Sequence, residues 1–246
     1  MSIDRDNFIK NHTVFPRSFL KGAKVALSYN SIEGRKIDEL VNAFLESNFN
    51  ISSECNRDEP FVPLKIVTEG NVLTFCFEPT ECSVEIDAIK GYQSFLYSFF
   101  PRTRPLAEFA KDVVGEFGTL RISKENLWVI KTDSPETDLN TGLEFIFRPD
   151  RVMELPAITA PTDKNKWGVK TETRPQVFQD MDCLIKLRIE YSDGSLFYNT
   201  VIEASTKNKV SYESFPEELL KLNSAVYQLF IDLVSSHVLE MMTKGE

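Results

Sequence analysis

The sequence predicts an α+β fold: two antiparallel sheet-plus-helix halves, with a long C-terminal helix packed on the sheet. Three observations predict it. Ser214 to Met242 repeats apolar residues at helical spacing, the strands before it are joined by tight-turn signals, and the order hairpin, strand, helix occurs twice. Strands joined by short turns pair antiparallel, and a sheet with one apolar face must be covered by something, most simply a helix.

Residues 1–22 mix polar and aromatic side chains and read as an irregular arm, broken at Pro16 and pinned to the body by Phe8, Phe15 and Phe19. Lys24 to Tyr29 alternates and reads as a strand. Ile37 to Phe49 carries apolar residues at 37, 40, 41, 44 and 45, which is helical spacing. Asn50 to Pro63 is a polar loop. Leu64 to Thr68 and Val72 to Phe77 flank Glu69-Gly70-Asn71, a hairpin signal, and Ser83 to Ile89 supplies a third strand.

Tyr92, Phe95, Leu96 and Phe99 then mark an aromatic helix face, interrupted by Pro101 and Pro105, and a second helical piece runs from Leu106 to Phe117 before Gly118 stops it. Thr119 to Ile130 reads as a strand, a turn near Glu125-Asn126, and another strand. Thr132 to Thr141 reads as an acidic loop and Leu143 to Phe147 as a strand. Three prolines between Pro149 and Asn165 mark a linker or a long covering loop, which sets the halves at residues 1–148 and 149–246 or leaves them one continuous domain.

Trp167 to Val177 reads as an edge strand because of Pro175. Leu184 to Tyr191 and Ser195 to Ala204 flank Asp193-Gly194, the strongest hairpin signal in the chain. The final helix opens on Ser214 with Glu217 three residues on, a capping box, and Pro216 sits in its first turn. Leu219, Leu222, Val226, Leu229, Leu233 and Val238 form its stripe. Phe230, Val234 and Met241 widen that stripe beyond what one sheet needs, so the helix is expected to pack against both halves or against a second subunit.

Composition bounds the function. A formal net charge of −9 and a pI of about 5.0 supply no basic stripe, which disfavours nucleic-acid binding. The sequence holds no apolar run of the roughly 18 residues that a membrane helix needs. Met1 to Lys10 lacks the apolar core of a signal peptide. Cys55, Cys76, Cys82 and Cys183 show no CxxC spacing and read as reduced thiols, so a cytoplasmic location is expected.

Motifs for catalysis are absent: no nucleophile elbow, no phosphate-binding loop and no dinucleotide fingerprint. The only histidines, His12 and His237, read as a solvated arm residue and a packed helix-end residue. No cofactor, no metal site and no catalytic residue is expected. Asp180 with Asp182, and Glu144 with Asp150, are the carboxylate pairs that could reach Mg²⁺, but in a chain with 37 acidic residues such pairs arise by chance. Two features stand above background. Phe99-Phe100-Pro101-Arg102-Thr103-Arg104-Pro105 sets two arginines beside aromatics, where they could grip a carboxylate or phosphate. Nineteen Phe and seven Tyr must largely serve the core, and any excess on an open sheet face would mark an interaction site.

The layout resembles a sporadically distributed, uncharacterised bacterial family of chains of about this length. The matching stretches are the Tyr92-x-x-Phe95-x-x-x-Phe99 helix, the strand Leu120-Arg121-Ile122 through Leu127-Trp128, and the helix around Leu222 to Phe230. The likeness covers roughly the last two-thirds of the chain. The two sheet-then-helix halves are also similar in layout to the export chaperone SecB, and that similarity implies binding of extended polypeptide without catalysis. The expectation is therefore a non-catalytic, chaperone-like or assembly subunit that binds another protein or unfolded polypeptide. It could belong to a bacterial defence or toxin–antitoxin system and could form a homo-oligomer. Phe99, Phe100, Arg102, Arg104, Phe230 and Val234 are the expected partner-binding residues. The alternative is a metal-dependent enzyme acting on a phosphate-containing substrate.

Overall fold

The computed structural model describes residues 19–47, 53–54, 64–68, 71–87, 107–108, 111, 116–152 and 167–244. Within them the strands are β1 (Leu20–Tyr29), β2 (Ser53–Glu54), β3 (Leu64–Thr68), β4 (Asn71–Phe77), β5 (Glu81–Asp87), β6 (Phe117–Lys131), β7 (Trp167–Thr173), β8 (Met181–Ser192) and β9 (Ser195–Thr206). The helices are α1 (Gly34–Ser47), α2 (Pro135–Ile146), α3 (Pro149–Val152), α4 (Phe215–Leu233) and α5 (Ser236–Lys244). The fold is α+β.

All the strands join one nine-stranded sheet in the order β2-β3-β4-β5-β1-β6-β9-β8-β7, and every pairing is antiparallel. The sheet runs unbroken across residue 148, because β6 pairs with β9 from Arg121↔Ser205 to Lys131↔Ser195. It also has an internal symmetry. Outward from the β1–β6 boundary the strands read β5, β4, β3 on one side and β9, β8, β7 on the other. The first half thus runs β1, α1 and β2 to β5, and the second β6, α2, α3 and β7 to β9, so that only the two-residue β2 at the far edge has no counterpart strand. The repeat visible in the sequence as hairpin, strand, helix begins one strand and one helix earlier than the hairpins suggest.

One face of the sheet carries the core. Ala23, Val25 and Leu27 of β1 lie beside Cys82, Val84 and Ile86 of β5 and beside Leu120 and Ile122 of β6, all buried. Tyr198, Ile202 and Ala204 of β9 and Leu187 and Ile189 of β8 continue the same face. Helices cover it. The Tyr198 hydroxyl donates to the Leu139 carbonyl of α2 at 3.0 Å. On α4, the Phe230 ring stacks on Trp128 of β6. α4 touches both β6 and β9, strands that lie on either side of residue 148 in sequence but in the same strand-helix-strand unit. Phe19, from the arm, packs on Trp128 at 5.4 Å.

Several elements differ from their sequence reading, each for a physical reason. The final helix is two helices: Val234 is extended (φ −81°, ψ 151°) and bridges to Phe147. Ser235 restarts it, since its Oγ donates to the Phe145 carbonyl at 2.6 Å and accepts the Val238 N–H at 3.2 Å, which caps α5. The capping box at Ser214 does not form. Ser214 has helical dihedrals, and its Oγ bonds the Ser211 turn instead. Residues read as an acidic loop and a strand, Thr132 to Phe147, hold α2. Pro135 opens it, and Leu139, Leu143 and Ile146 bury one helical face. Short apolar runs such as Leu143 to Phe147 do not separate helix from strand by themselves.

Two turn signals fared differently. No turn breaks Thr119 to Ile130, and β6 is a single strand of 15 residues. Asp193-Gly194 is the tight turn it promised, with positive φ at both residues (51° and 69°), as a primed hairpin turn requires. Trp167 to Thr173 is an edge strand, as Pro175 predicts. The aromatic helix face at Tyr92 to Phe99 and the arm before Phe19 lie outside the described residues.

Candidate functional site

Strand alternation fixes what the other face of the sheet presents. In β6, Leu120, Ile122, Lys124, Asn126 and Trp128 turn toward the helices, so Arg121, Ser123, Glu125, Leu127 and Val129 turn away. Much of this second face is charged and paired. Glu81 accepts from Arg121 at 2.8 Å and lies 3.9 Å from Lys24. Glu125 meets Lys21 at 3.3 Å and the Asn199 carboxamide. Glu203 meets Lys186 at 2.5 Å, and Glu190 meets Arg188 at 2.5 Å. Such exposed pairs contribute little stability singly. They do fix the orientation of the charges around what lies between them.

What lies between them is apolar. Val129 is 51% exposed. Its cross-strand partner on β9 is Phe197, half-buried, and Leu127 stands two residues back on the same face. Val201, opposite Glu125, extends the group toward Lys186. The result is an apolar patch on β6 and β9, rimmed by Glu125, Asn199, Arg188 and Glu190. An apolar centre with a polar rim is the anatomy of a protein-docking surface. The sequence carried this signal. Uninterrupted alternation through β6 puts Leu127 and Val129 on one face, and the turn assumed at Glu125-Asn126 concealed it.

The residues expected to bind a partner are placed otherwise or lie outside the described chain. Phe230 and Val234 are buried against Trp128 and Phe147. The surface they were expected to offer is taken up within this chain. Phe99, Phe100, Arg102 and Arg104 lie outside the described residues, as does His12. His237 is exposed and rests edge-on against Phe145, ring centroids 4.4 Å apart. Asp180 and Asp182 are exposed, and Asp150 pairs with Arg148 at 3.2 Å. Among the described residues no three His, Cys, Asp or Glu side chains gather where they could hold a metal ion. Cys76, Cys82 and Cys183 are free, and burial raises each thiol pKa, which opposes the thiolate a nucleophile needs.

A second polar group is enclosed under α4. Lys124, Asn126 and Thr200 share the covered face and are buried, with Asn126 directly opposite Thr200. Burial brings the Lys124 ammonium down to about 7. α4 runs alongside β6 in the same direction: Val210, just before it, donates to Gly118, and Phe230 lies on Trp128. Asn223 is seven residues before Phe230, about 10 Å back along the helix, which matches about three residues of strand. That sets Asn223 over Lys124 to Asn126. Asn223 is fully buried, and neither its Nδ2 nor its Oδ1 has a partner; Thr200 Oγ1 is likewise unpartnered. A water-sized probe cannot reach these atoms, so there is no room beside them for a ligand.

A cleft of about 480 Å³ opens at the start of α4 between Lys111, Glu116, Lys209, Tyr212 and Glu213. Its charges answer one another. Lys209 meets Glu116 at 2.9 Å, and the Lys111 ammonium lies 4.4 Å from the Tyr212 ring centroid. The Glu213 carboxyl is held low first by its own backbone N–H and then by Ser211.

The fold and this face together define an α+β protein on a pseudo-two-fold antiparallel sheet, helix-covered on one side and presenting a rimmed apolar patch on the other. No protein-family model matches the chain, and no curated protein matches it. Among solved structures it aligns with the di-domain ARO/CYC StfQ from the steffimycin biosynthetic pathway at 8% identity and a TM-score of 0.18, over 90% of this chain and 98% of that chain. A superposition that loose carries no argument about fold or activity.

Proposed function

We propose that this protein is a non-catalytic binding subunit that docks another polypeptide, chaperone-like or in an assembly, on the open face of its sheet. The observation that supports the reading is the patch of Val129, Phe197, Leu127 and Val201 within a rim of fixed charges. Exposed apolar groups ringed by polar ones mark interaction surfaces. The net charge of −9 favours partners that are apolar and cationic. Free, buried thiols suit a reducing compartment, which supports a cytoplasmic location, and no helix among the described residues is long and apolar enough to cross a membrane. A narrower role, as a partner subunit in a bacterial defence or toxin–antitoxin system, rests on the family resemblance alone.

The test is direct binding of a fluorescently labelled, permanently unfolded cationic polypeptide, read by anisotropy, together with affinity capture and mass spectrometry. Saturable binding that is lost in Val129→Asp supports the reading. A wild-type chain that binds no unfolded polypeptide and captures no protein overturns it.

A further inference from the structure

We propose that β7 is a self-association edge, pairing antiparallel with β7 of a second copy of this chain about a two-fold axis through Thr171. β7 is last in the sheet order and pairs only with β8. Among the described residues no backbone hydrogen bond is made on its outer side. Gly168, Lys170 and Glu172 are exposed on the open face, while Thr171 is buried on the covered face between half-buried Val169 and Thr173. An edge of this kind is a template for another strand unless its side chains forbid it.

The side chains here select one partner. A two-fold axis at Thr171 sets Lys170 opposite Glu172 of the other copy, twice, on the open face. It sets Val169 opposite Thr173 on the covered face, and Gly168, which has no side chain, opposite Arg174. The charge logic also asks for this neighbour. On its inner side Lys170 stands opposite Arg188 of β8, a like charge, while Arg188 already holds Glu190 at 2.5 Å. Like charges directly opposite destabilise a strand pair, and an incoming Glu172, which holds Arg174 of its own chain at 2.9 Å, adds a counter-charge from the other side. A slip of one residue would bring Lys170 against Thr171 or Thr173 and lose the match. The affinity would come from the backbone ladder and the register from the charges, since exposed ion pairs are individually weak. The sheet already joins its two halves by an antiparallel, pseudo-two-fold contact at β1–β6, and the β7 contact would repeat that device between chains. The inference does not depend on the docking patch.

The experiment is sedimentation velocity on the full chain over a concentration series, for wild type, Lys170→Glu, Glu172→Lys and the double exchange, with circular dichroism confirming the fold of each. Wild type should dimerise. Each single variant turns two attractive contacts into two repulsive ones and should raise the dimer dissociation constant about tenfold or more. The double exchange restores opposite charges across the axis and should dimerise again. Thr171→Cys, which faces its own copy across the axis, should form an intermolecular disulfide under mild oxidation that Asp193→Cys, in the distant turn, does not. A wild type that stays monomeric, single variants that dimerise like wild type, or a double exchange that stays monomeric would each overturn the proposal.

Discussion

The indole of Trp128 and the ring of Phe230 lie 6° from parallel with centroids 6.5 Å apart, and this contact ties the C-terminal helix to the strand that joins the two halves. Phe19 and Phe147 close on the same indole at 5.4 and 5.7 Å. Phe230→Ala should therefore lower stability by about 3–5 kcal/mol, the usual range for a buried ring. A double-mutant cycle with Trp128→Leu should show coupling of about 0.5–1.5 kcal/mol beyond simple burial. Urea unfolding measures both. Additive effects would mean that the rings share a core without a specific interaction.

Lys124 makes stability depend on alkaline pH. Its ammonium is lowered from 10.5 to about 7 by burial. Between those values the unfolded chain holds a proton that the native chain has released, so stability rises with pH across the window and its contribution is complete above 10.5. The slope is at most about 1.4 kcal/mol per pH unit. Lys124→Met removes the group, so its advantage over wild type should be largest below pH 7 and shrink toward pH 10. Denaturant midpoints of both proteins at pH 6.5, 8 and 9.5 check the sign. A difference that is flat with pH would refute it.

Asn223 should be replaceable at a gain. Its carboxamide is fully buried with both polar atoms unpartnered, and each such group carries a desolvation penalty of about 1–3 kcal/mol. Asn223→Leu keeps the branching and heavy-atom count, with somewhat more bulk, and should raise the free energy of unfolding by about 1 kcal/mol with an unchanged denaturant slope. A loss of stability would show that the amide is satisfied in solution.

Gly142 is fixed by a neighbour and not by its own backbone. A Cβ there would lie 2.2 Å from the Tyr198 hydroxyl and 2.7 Å from its ring carbon. Alanine normally strengthens a helix by about 1 kcal/mol over glycine. Here it must displace the hydroxyl that donates to Leu139, and Gly142→Ala should destabilise by about 1–3 kcal/mol. Thermal unfolding separates the two signs.

Where the sequence was legible, a local rule had one solution. Asp193-Gly194 takes the primed turn that its residues favour, and β7 is an edge strand that ends two residues before Pro175. Where it misled, the deciding interaction was tertiary. Glu125-Asn126 looks like a turn until the long-range pairing of β6 with β1 and β9 holds it extended, with Asn126 inside and Glu125 outside. Val234 continues a helical stripe until Phe147, distant in sequence, draws it into a bridge. The stripe pointed to a helix covering more than the β8–β9 hairpin, and α4 does reach β6 as well as β9. It could not tell that Phe230 and Val234 would be consumed within the chain. The apolar patch was hidden by the same error, since a strand split at Glu125 leaves the facing of Val129 undefined.

The last prediction separates binding from folding at that patch. Val129 is 51% exposed, and a substitution at such a site ordinarily changes stability by no more than about 0.5 kcal/mol. Aspartate there would put a charge at the centre of the apolar group, opposite Phe197 and two residues from Leu127. Any partner would have to bury it, at a penalty of several kcal/mol. Val129→Asp should therefore unfold at the wild-type midpoint and bind an unfolded cationic polypeptide at least about tenfold more weakly. Val201→Asp, at the edge of the patch opposite Glu125 and beside Lys186, should weaken binding less because it lies away from the apolar centre. Equal losses in the two variants would point to a general charge effect and away from a centred patch. Binding unchanged in both would place the partner elsewhere on the molecule.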